Sequence, residues 1–376
     1  MARSQPRILW AGVEPTPYLV ALQQRARQHL PYAFDVVYER KQASQAWEEL
    51  PGTHRVLNGR IEACRLVARV VSGAYDAVLL EGWGTLVLSA IGLAAAWSRR
   101  PYVLSGDTHD GTAGHTAGIR NKIRRHLFRH SAATLPGGSP QRRFFLAQGA
   151  NPATIVVRQM TVDVEMFRAG AEQARKRRDE IRADLEIGRS EPIILGVGRL
   201  AREKGFDVLI RAFSRLAPAR LLIVGSGPEA DNLRTLATGV GVASRTLWPG
   251  RLDLGRMIEM YAIADVLAVP SRWEPWGLVV NEAMACGLPV VATDAVGAAE
   301  DLLAGTGAGM IVPTGDEDAL TLALARLCED PALRGRMGSA AAARIGSWTY
   351  REEVAAIDGA LRVALRMNDP RACGQP

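Results

Sequence analysis

Two series of six short apolar runs, with helix-length stretches between them, organise the 376 residues. The first series is 7–11, 34–38, 77–80, 102–105, 132–135 and 154–157; the second is 193–197, 220–224, 246–248, 266–269, 289–292 and 309–312. Such alternation predicts βαβ units and parallel, doubly wound sheets, so the chain reads as α/β with tandem Rossmann-type domains. At roughly 150 residues per domain the length also calls for two. A charged run at 172–189, rich in Arg and poor in large apolar residues, interrupts the pattern and reads as a partly helical interdomain segment. The tail from 316 to 367 reads as successive helices, the last crossing back to the first domain. The expected divisions are 1–170, 171–349 and a returning helix in 350–376.

Composition removes several classes. Hydrophobic residues at 48% and charged residues at 23% exclude disorder, collagen-like repeats and coiled coil. Cys64, Cys286, Cys328 and Cys373 are far apart and form neither a zinc motif nor a disulfide framework, which fits a reducing cytoplasm. The opening MARSQPRILWAG runs from a short basic start into a strand and does not read as a secretion signal. The apolar stretch 86–97 is too short to span a bilayer and reads as a buried helix. Charge is uneven: residues 1–170 carry 21 Lys and Arg against 12 Asp and Glu, the remainder 25 against 27. The basic first half points to an anionic partner, and without a DNA or RNA motif no nucleic acid is expected.

Ligands of open α/β sheets bind at the carboxyl ends of the strands. After 193–197 come Arg199 and Lys204, two cations suited to a diphosphate, or else two solvated surface charges. After 220–224, Gly225 and Gly227 let backbone approach a ligand, or simply form a turn. Neither this turn nor the first, at Gly12, completes a dinucleotide fingerprint, which disfavours a nicotinamide dehydrogenase. The segment VPSRWEPWGLVVNEAMACGLPVVAT, 269–293, places Glu274 in a loop and Glu282 eight positions on, within a helix over 277–286 closed by Gly287. Amides at that helix start can meet phosphate or sugar oxygens, and the two carboxylates can accept hydroxyls; a helix-dipole role and a solvated face are the plainer readings.

The run Glu274-Pro275-Trp276-Gly277-Leu278 to Glu282-Ala283-Met284-Ala285-Cys286-Gly287-Leu288-Pro289 closely resembles the Glu, seven residues, Glu signature of retaining GT-B glycosyltransferases, the group 1 family. Gly198-Arg199-Leu200, Lys204-Gly205, Gly225-Ser226-Gly227-Pro228 and Pro270-Ser271 follow in the family's order. The resemblance implies two Rossmann-like domains facing across a cleft, a nucleoside diphosphate sugar on the second and a hydroxyl acceptor on the first. It implies a hexosyltransferase without a metal or cofactor. By the same carry-over Arg199 and Lys204 bind the diphosphate. Glu274 and the amides of Gly277, Leu278 and Val279 meet donor sugar or phosphate, and Glu282 binds ribose hydroxyls. Two departures stand out: Val296-Gly297-Ala298-Ala299-Glu300-Asp301 replaces Gly-Gly-x-Pro-Glu, and Trp276 replaces Phe.

The first half resembles the family more loosely, through Val162-Asp163 before Phe167 and through His109-Asp110 after the strand at 102–105. His109 is the catalytic candidate beside the donor sugar, with Asp107 the alternative register. On the acceptor side stand Gly12, Glu81 and Trp83, with core packing equally open for Trp83. The segment IRNKIRRHLFRH, 119–130, sets Ile119, Ile123 and Leu127 on one helix face and Arg120, Lys122, Arg124, Arg125 and Arg129 around the rest. It reads as a solvated helix docked on the sheet; the sharper alternative is attraction to a phosphate-bearing acceptor or to an anionic membrane at the cytoplasmic face. The rivals to a retaining transferase are a GT-B epimerase or phosphorylase and a noncatalytic nucleotide-sugar-binding subunit.

Overall fold

A computed structural model describes residues 5–41, 54–112, 118–216 and 218–366. Contacts divide the chain into two units, 1–160 with 350–376, and 161–349. Cys373 lies outside the described residues.

The first unit runs β1 (Arg7–Gly12), α1 (Pro17–His29), β2 (Ala33–Tyr38), β3 (Arg55–Val56), α2 (Gly59–Val71), β4 (Ala77–Glu81), α3 (Leu86–Trp97), β5 (Tyr102–Gly106), α4 (Ile119–His130), β6 (Ala133–Pro136) and α5 (Ser139–Gln148). Its parallel sheet has the order β3-β2-β1-β4-β5-β6. Central strands such as β4, buried over Ala77–Leu80, are near-continuous apolar runs because helices cover both faces. The expected strand at 154–157 is absent: Pro152–Thr154 forms a 3-10 turn, and only Ile155 bridges to Thr134. The sixth strand is instead the two-residue β3, too short and polar to be legible as a periodic run. Helix α3 is buried along one side only, through Leu88, Ile91, Ala94 and Ala95, while Leu86 and Trp97 are exposed.

The second unit runs α6 (Val164–Lys176), α7 (Arg178–Asp184), β7 (Ile193–Val197), α8 (Phe206–Ser214), β8 (Arg220–Val224), α9 (Ala230–Gly239), β9 (Thr246–Gly250), α10 (Leu254–Ile263), β10 (Val266–Val269), α11 (Leu278–Ala285), β11 (Val290–Thr293), β12 (Gly309–Val312), α12 (Glu317–Glu329) and α13 (Pro331–Ile345). Its order, β12-β11-β10-β7-β8-β9, repeats that of the first sheet once strands are counted within each unit. Acidic N-caps start four of these helices: Asp163, Asp253, Asp316 and Asp330 each accept from an amide of the first turn.

The boundary falls at Thr161, earlier than the expected residue 170, because α6 packs in the second unit, with Phe167 against Tyr261 at 6.2 Å. The charged run 172–189 is correspondingly no linker. Arg178 donates to the Ile263 carbonyl at 2.7 Å, and the buried Arg182 donates to Gly188 and Glu191 carbonyls. Arg178 and Arg182 both pair with Asp265, so arginines that suggest solvent from composition hold the entry to β7.

Helix α14 (Tyr350–Arg366) belongs to the first unit, where Val354, Ile357, Leu361 and Ala364 join the core of Ile8, Trp10, Leu79 and Val103. Tyr32 donates to Asp358 at 2.8 Å across the same packing.

Candidate functional site

In the second unit the loops that follow β7 and β8 are bonded to each other before any ligand is considered. Gly198 N donates to Val224 O at 3.0 Å, and Leu200 N to Ser226 O at 2.9 Å. A Cβ at Gly225, where φ is +143°, would lie 1.9 Å from Gly198 O, and one at Gly227 would lie 2.3 Å from Leu200 O. What the two glycines approach in this structure is therefore neighbouring backbone. The third loop is tied in similarly. Arg272 forks Asp207 through two 2.7 Å bonds, and its amide donates to Glu203 O at 2.7 Å, fixing the turn that carries Lys204.

Lys204 and Glu274 are ion-paired, the lysine half-buried and the carboxylate buried, whereas Arg199 is exposed. Glu274 is pinned by its backbone: its N–H donates to Ala295 O at 3.2 Å, and its carbonyl accepts from Gly297 N at 3.1 Å. Gly277, in the left-handed region at φ +94°, turns the chain into α11, whose start carries no side-chain cap and no acidic residue. The amides of Leu278 and Val279 thus open the first turn of a helix whose dipole favours an anion. Trp276, the aromatic that departs from the family pattern, is buried, donates to Asn281 Oδ1 at 2.9 Å and stacks on Trp348. Glu282 lies on the next turn of α11. Burial pushes its carboxyl up to about 7, against the Tyr261 hydroxyl, which donates to it at 2.6 Å.

In the first unit the carboxyl ends of β1, β4 and β5 surround a cavity of about 440 Å³. It sits where the strand order reverses between β1 and β4, the usual ligand crevice of a doubly wound sheet. Glu81 is at its base and fully engaged: Arg158 Nη1 reaches its two oxygens at 2.8 and 2.9 Å, Trp10 Nε1 donates at 3.1 Å and Ser105 Oγ at 2.8 Å. The other side of the buried Arg158 pairs with Glu353 of α14 at 2.7 Å. Trp83 lines the cavity and also packs on Phe128, Phe144 and Phe145, so its two readings hold together. Gly12 lies beside Tyr38, whose ring a Cβ would meet at 3.0 Å, leaving the lining to Val13 and Glu14.

Asp107 and Thr108 line this cavity and His109 does not. The buried His109 is held by its own turn: Nδ1 accepts from Gly111 N at 3.2 Å, its amide donates to Thr112 Oγ1 at 3.0 Å, and its carbonyl accepts from Thr112 N at 2.9 Å. An accepting Nδ1 places the proton of a neutral ring on Nε2. Helix α4 buries Leu127 and Phe128 and half-buries Ile123; Ile119, expected on the docked face, is 69% exposed, so the packed stripe starts one turn into the helix.

Residues 177–344 match the family model described as "Glycosyl transferases group 1". That stretch lies within the second unit. The chain is 36% identical over 221 residues to a GDP-mannose-dependent monoacylated alpha-(1-6)-phosphatidylinositol monomannoside mannosyltransferase of Corynebacterium glutamicum, covering 56% of each. It is 34% identical over 226 residues to a D-inositol 3-phosphate glycosyltransferase of Segniliparus rotundus, covering 58% of this chain and 49% of that protein. The chain thus spans about half the length of these relatives. The crystal structure of Anabaena HepE in complex with UDP superposes with a TM-score of 0.77 at 22% identity, over 96% of this chain and all of that one. This likeness shows a GT-B fold.

Three participants escaped sequence reasoning: Arg158, Tyr261 and the Asp207–Arg272 fork. Each acts on a partner 21 to 77 positions away, and only Arg158, a lone cation closing the apolar run at 154–157, left a local trace. Among the described residues no helix is long and apolar enough to cross a membrane.

Proposed function

We propose that this protein transfers a sugar from a nucleoside diphosphate sugar to an acceptor hydroxyl, with retention at the anomeric carbon. The observation that carries the reading is the Lys204–Glu274 pair beside an uncapped α11. A diphosphate leaving group gains negative charge as the glycosidic bond breaks, and Lys204, Arg199 and the amides of Leu278 and Val279 supply fixed positive potential for it. Glu274 orients Lys204 and offers a carboxylate to the donor sugar. Glu282, one helical turn deeper, accepts ribose hydroxyls, and its proximity to Tyr261 fixes its rotamer. His109, whose ring is held through Nδ1 by the Gly111 amide, serves the sugar during bond cleavage. With donor phosphate as the base, retention needs no carboxylate nucleophile.

The relatives' names mention GDP-mannose in one case and HepE is bound to UDP, so both bases belong in the test. The purified chain is screened against UDP- and GDP-sugars for thermal shift and slow donor hydrolysis, and product anomers are read by NMR. Stabilisation by one nucleotide family, hydrolysis lost in Lys204→Ala and a retained anomer are expected. Indifference to every nucleotide sugar would refute the transferase reading, and an inverted anomer would refute retention alone. A transfer product formed only with inorganic phosphate would identify a phosphorylase instead.

A further inference from the structure

We propose that the cavity of the first unit takes its acceptor through a phosphate group, held by Arg120 and Arg124 of α4; this identifies the acceptor class for the transferase reading and rests on it. Six charged side chains line the cavity: Glu14, Glu81, Asp107, Arg120, Arg124 and Arg158. Arg158 is consumed by Glu81 and Glu353, and Glu14 faces Arg40 at 3.6 Å. Among the described residues neither Arg120 nor Arg124 has a carboxylate within ion-pair distance. Among the described residues the side chain bonded to Arg124 is a neutral one, Asn121 Oδ1 at 2.9 Å, and there its buried Nε has no partner.

The placement of Arg124 adds to this. Its guanidinium lies over the Phe144 ring at 5.5 Å, and burial and then Arg125 work against its charge. An anion would relieve both costs and satisfy the orphan N–H. Arg120 is one helical turn away on the same helix face, exposed where Arg124 is half-buried, and both line the cavity. Two guanidiniums on one wall match the charge of about −1.5 to −2 of a phosphate monoester better than the single charge of a carboxylate, and their forks suit phosphate oxygens. The volume is in the range of small-molecule sites, and Thr108 and Asp107 supply polar groups for hydroxyls.

Calorimetry on the full chain compares glucose 6-phosphate with glucose and inositol 1-phosphate with inositol, while vesicles of phosphatidylinositol are compared with vesicles of phosphatidylserine. At least one phosphorylated probe is expected to bind tenfold or more tightly than its parent. Preference for the soluble esters identifies a free polyol phosphate, and preference for phosphatidylinositol vesicles a lipid headgroup. Arg124→Gln and the exposed Arg120→Gln should each lose at least tenfold. Arg125→Gln, which removes the same charge outside the cavity, should lose less than twofold. Equal binding of esters and parents together with equal binding to the two vesicles would overturn the proposal, as would equal losses in Arg125→Gln and Arg120→Gln. Binding of UDP and GDP is followed in every variant. Nucleotide binding that survives while phosphate discrimination fails condemns this inference alone, and a wild-type chain blind to nucleotides condemns the transferase reading.

Discussion

The two units share one strand order and handle the ends of their central strands in opposite ways. In the second, glycines bring the β7 and β8 loops into backbone contact, and the charges there are paired on the surface of that cradle, Lys204 with Glu274 and Arg272 with Asp207. In the first, the same position holds a buried ionic cluster of Glu81, Arg158 and Glu353 under a cavity with two arginines on its wall. Divided at the unit boundaries, the sequence carries a formal charge of +10 in the first unit and −3 in the second. One topology thus supports a rigid backbone cradle in one unit and a side-chain-lined pocket in the other. The difference lies in loops that the sheet order does not dictate.

The strongest way to break this contrast is Arg158→Met. It would leave Glu81 and Glu353 buried without their counter-ion, a loss of about 3–5 kcal/mol. Denaturant unfolding should then show the first unit melting ahead of the second. A single unshifted transition would mean that the ionic cluster contributes nothing to the first unit.

His109→Ala tests whether the first unit takes part in chemistry as well as in acceptor binding. Turnover should fall on the order of a hundredfold, about 2.7 kcal/mol, with nucleotide affinity unchanged. If Asp107→Asn abolishes turnover while His109→Ala retains it, the wall of the cavity and not the His109 turn faces the reaction.

Lys204→Ala should weaken nucleoside diphosphate binding by about 2 kcal/mol by calorimetry, the loss of one charge-assisted contact. The far-ultraviolet spectrum should be unchanged. Equal weakening by Arg120→Gln would erase the assignment of nucleotide to the second unit.

The smallest effect concerns Glu282. Its carboxyl is raised from 4.5 to about 7, so between those values the folded chain holds a proton that the unfolded chain has lost. Stability therefore declines as pH rises from about 4.5 to about 7, and the cost stays in full above that. Glu282→Gln should raise Tm by a few degrees at pH 8 and leave it unchanged near pH 4, while weakening free nucleotide at pH 8. A Tm difference independent of pH would show that the carboxyl titrates normally.

Eleven of the twelve strands of the sheets were legible as apolar runs, because a strand covered on both faces must be apolar throughout. The helix starting at Leu278 and the Glu274-to-Glu282 spacing were equally plain, being set by neighbours in the chain. The strand expected at 154–157 failed for a different reason: β propensity was present, but the sheet edge offered pairing to Ile155 alone. The arginines of 172–189 misled because composition cannot tell a solvated guanidinium from one that caps carbonyls, as Arg182 does.

Sequence alone determined the two series of βαβ units, the Glu274-to-Glu282 spacing and the residue types at the strand ends, since each is a local pattern. Tertiary structure decided which of those residues meet: Lys204 with Glu274, 70 positions apart, and Arg158 with both Glu81 and Glu353. It also decided that Arg124 should stand in a cavity wall with a buried Nε and, among the described residues, no carboxylate partner. The pairing of a charge depends on which loops the sheet order brings to one end, and that distance is not written in the spacing of residues along the chain.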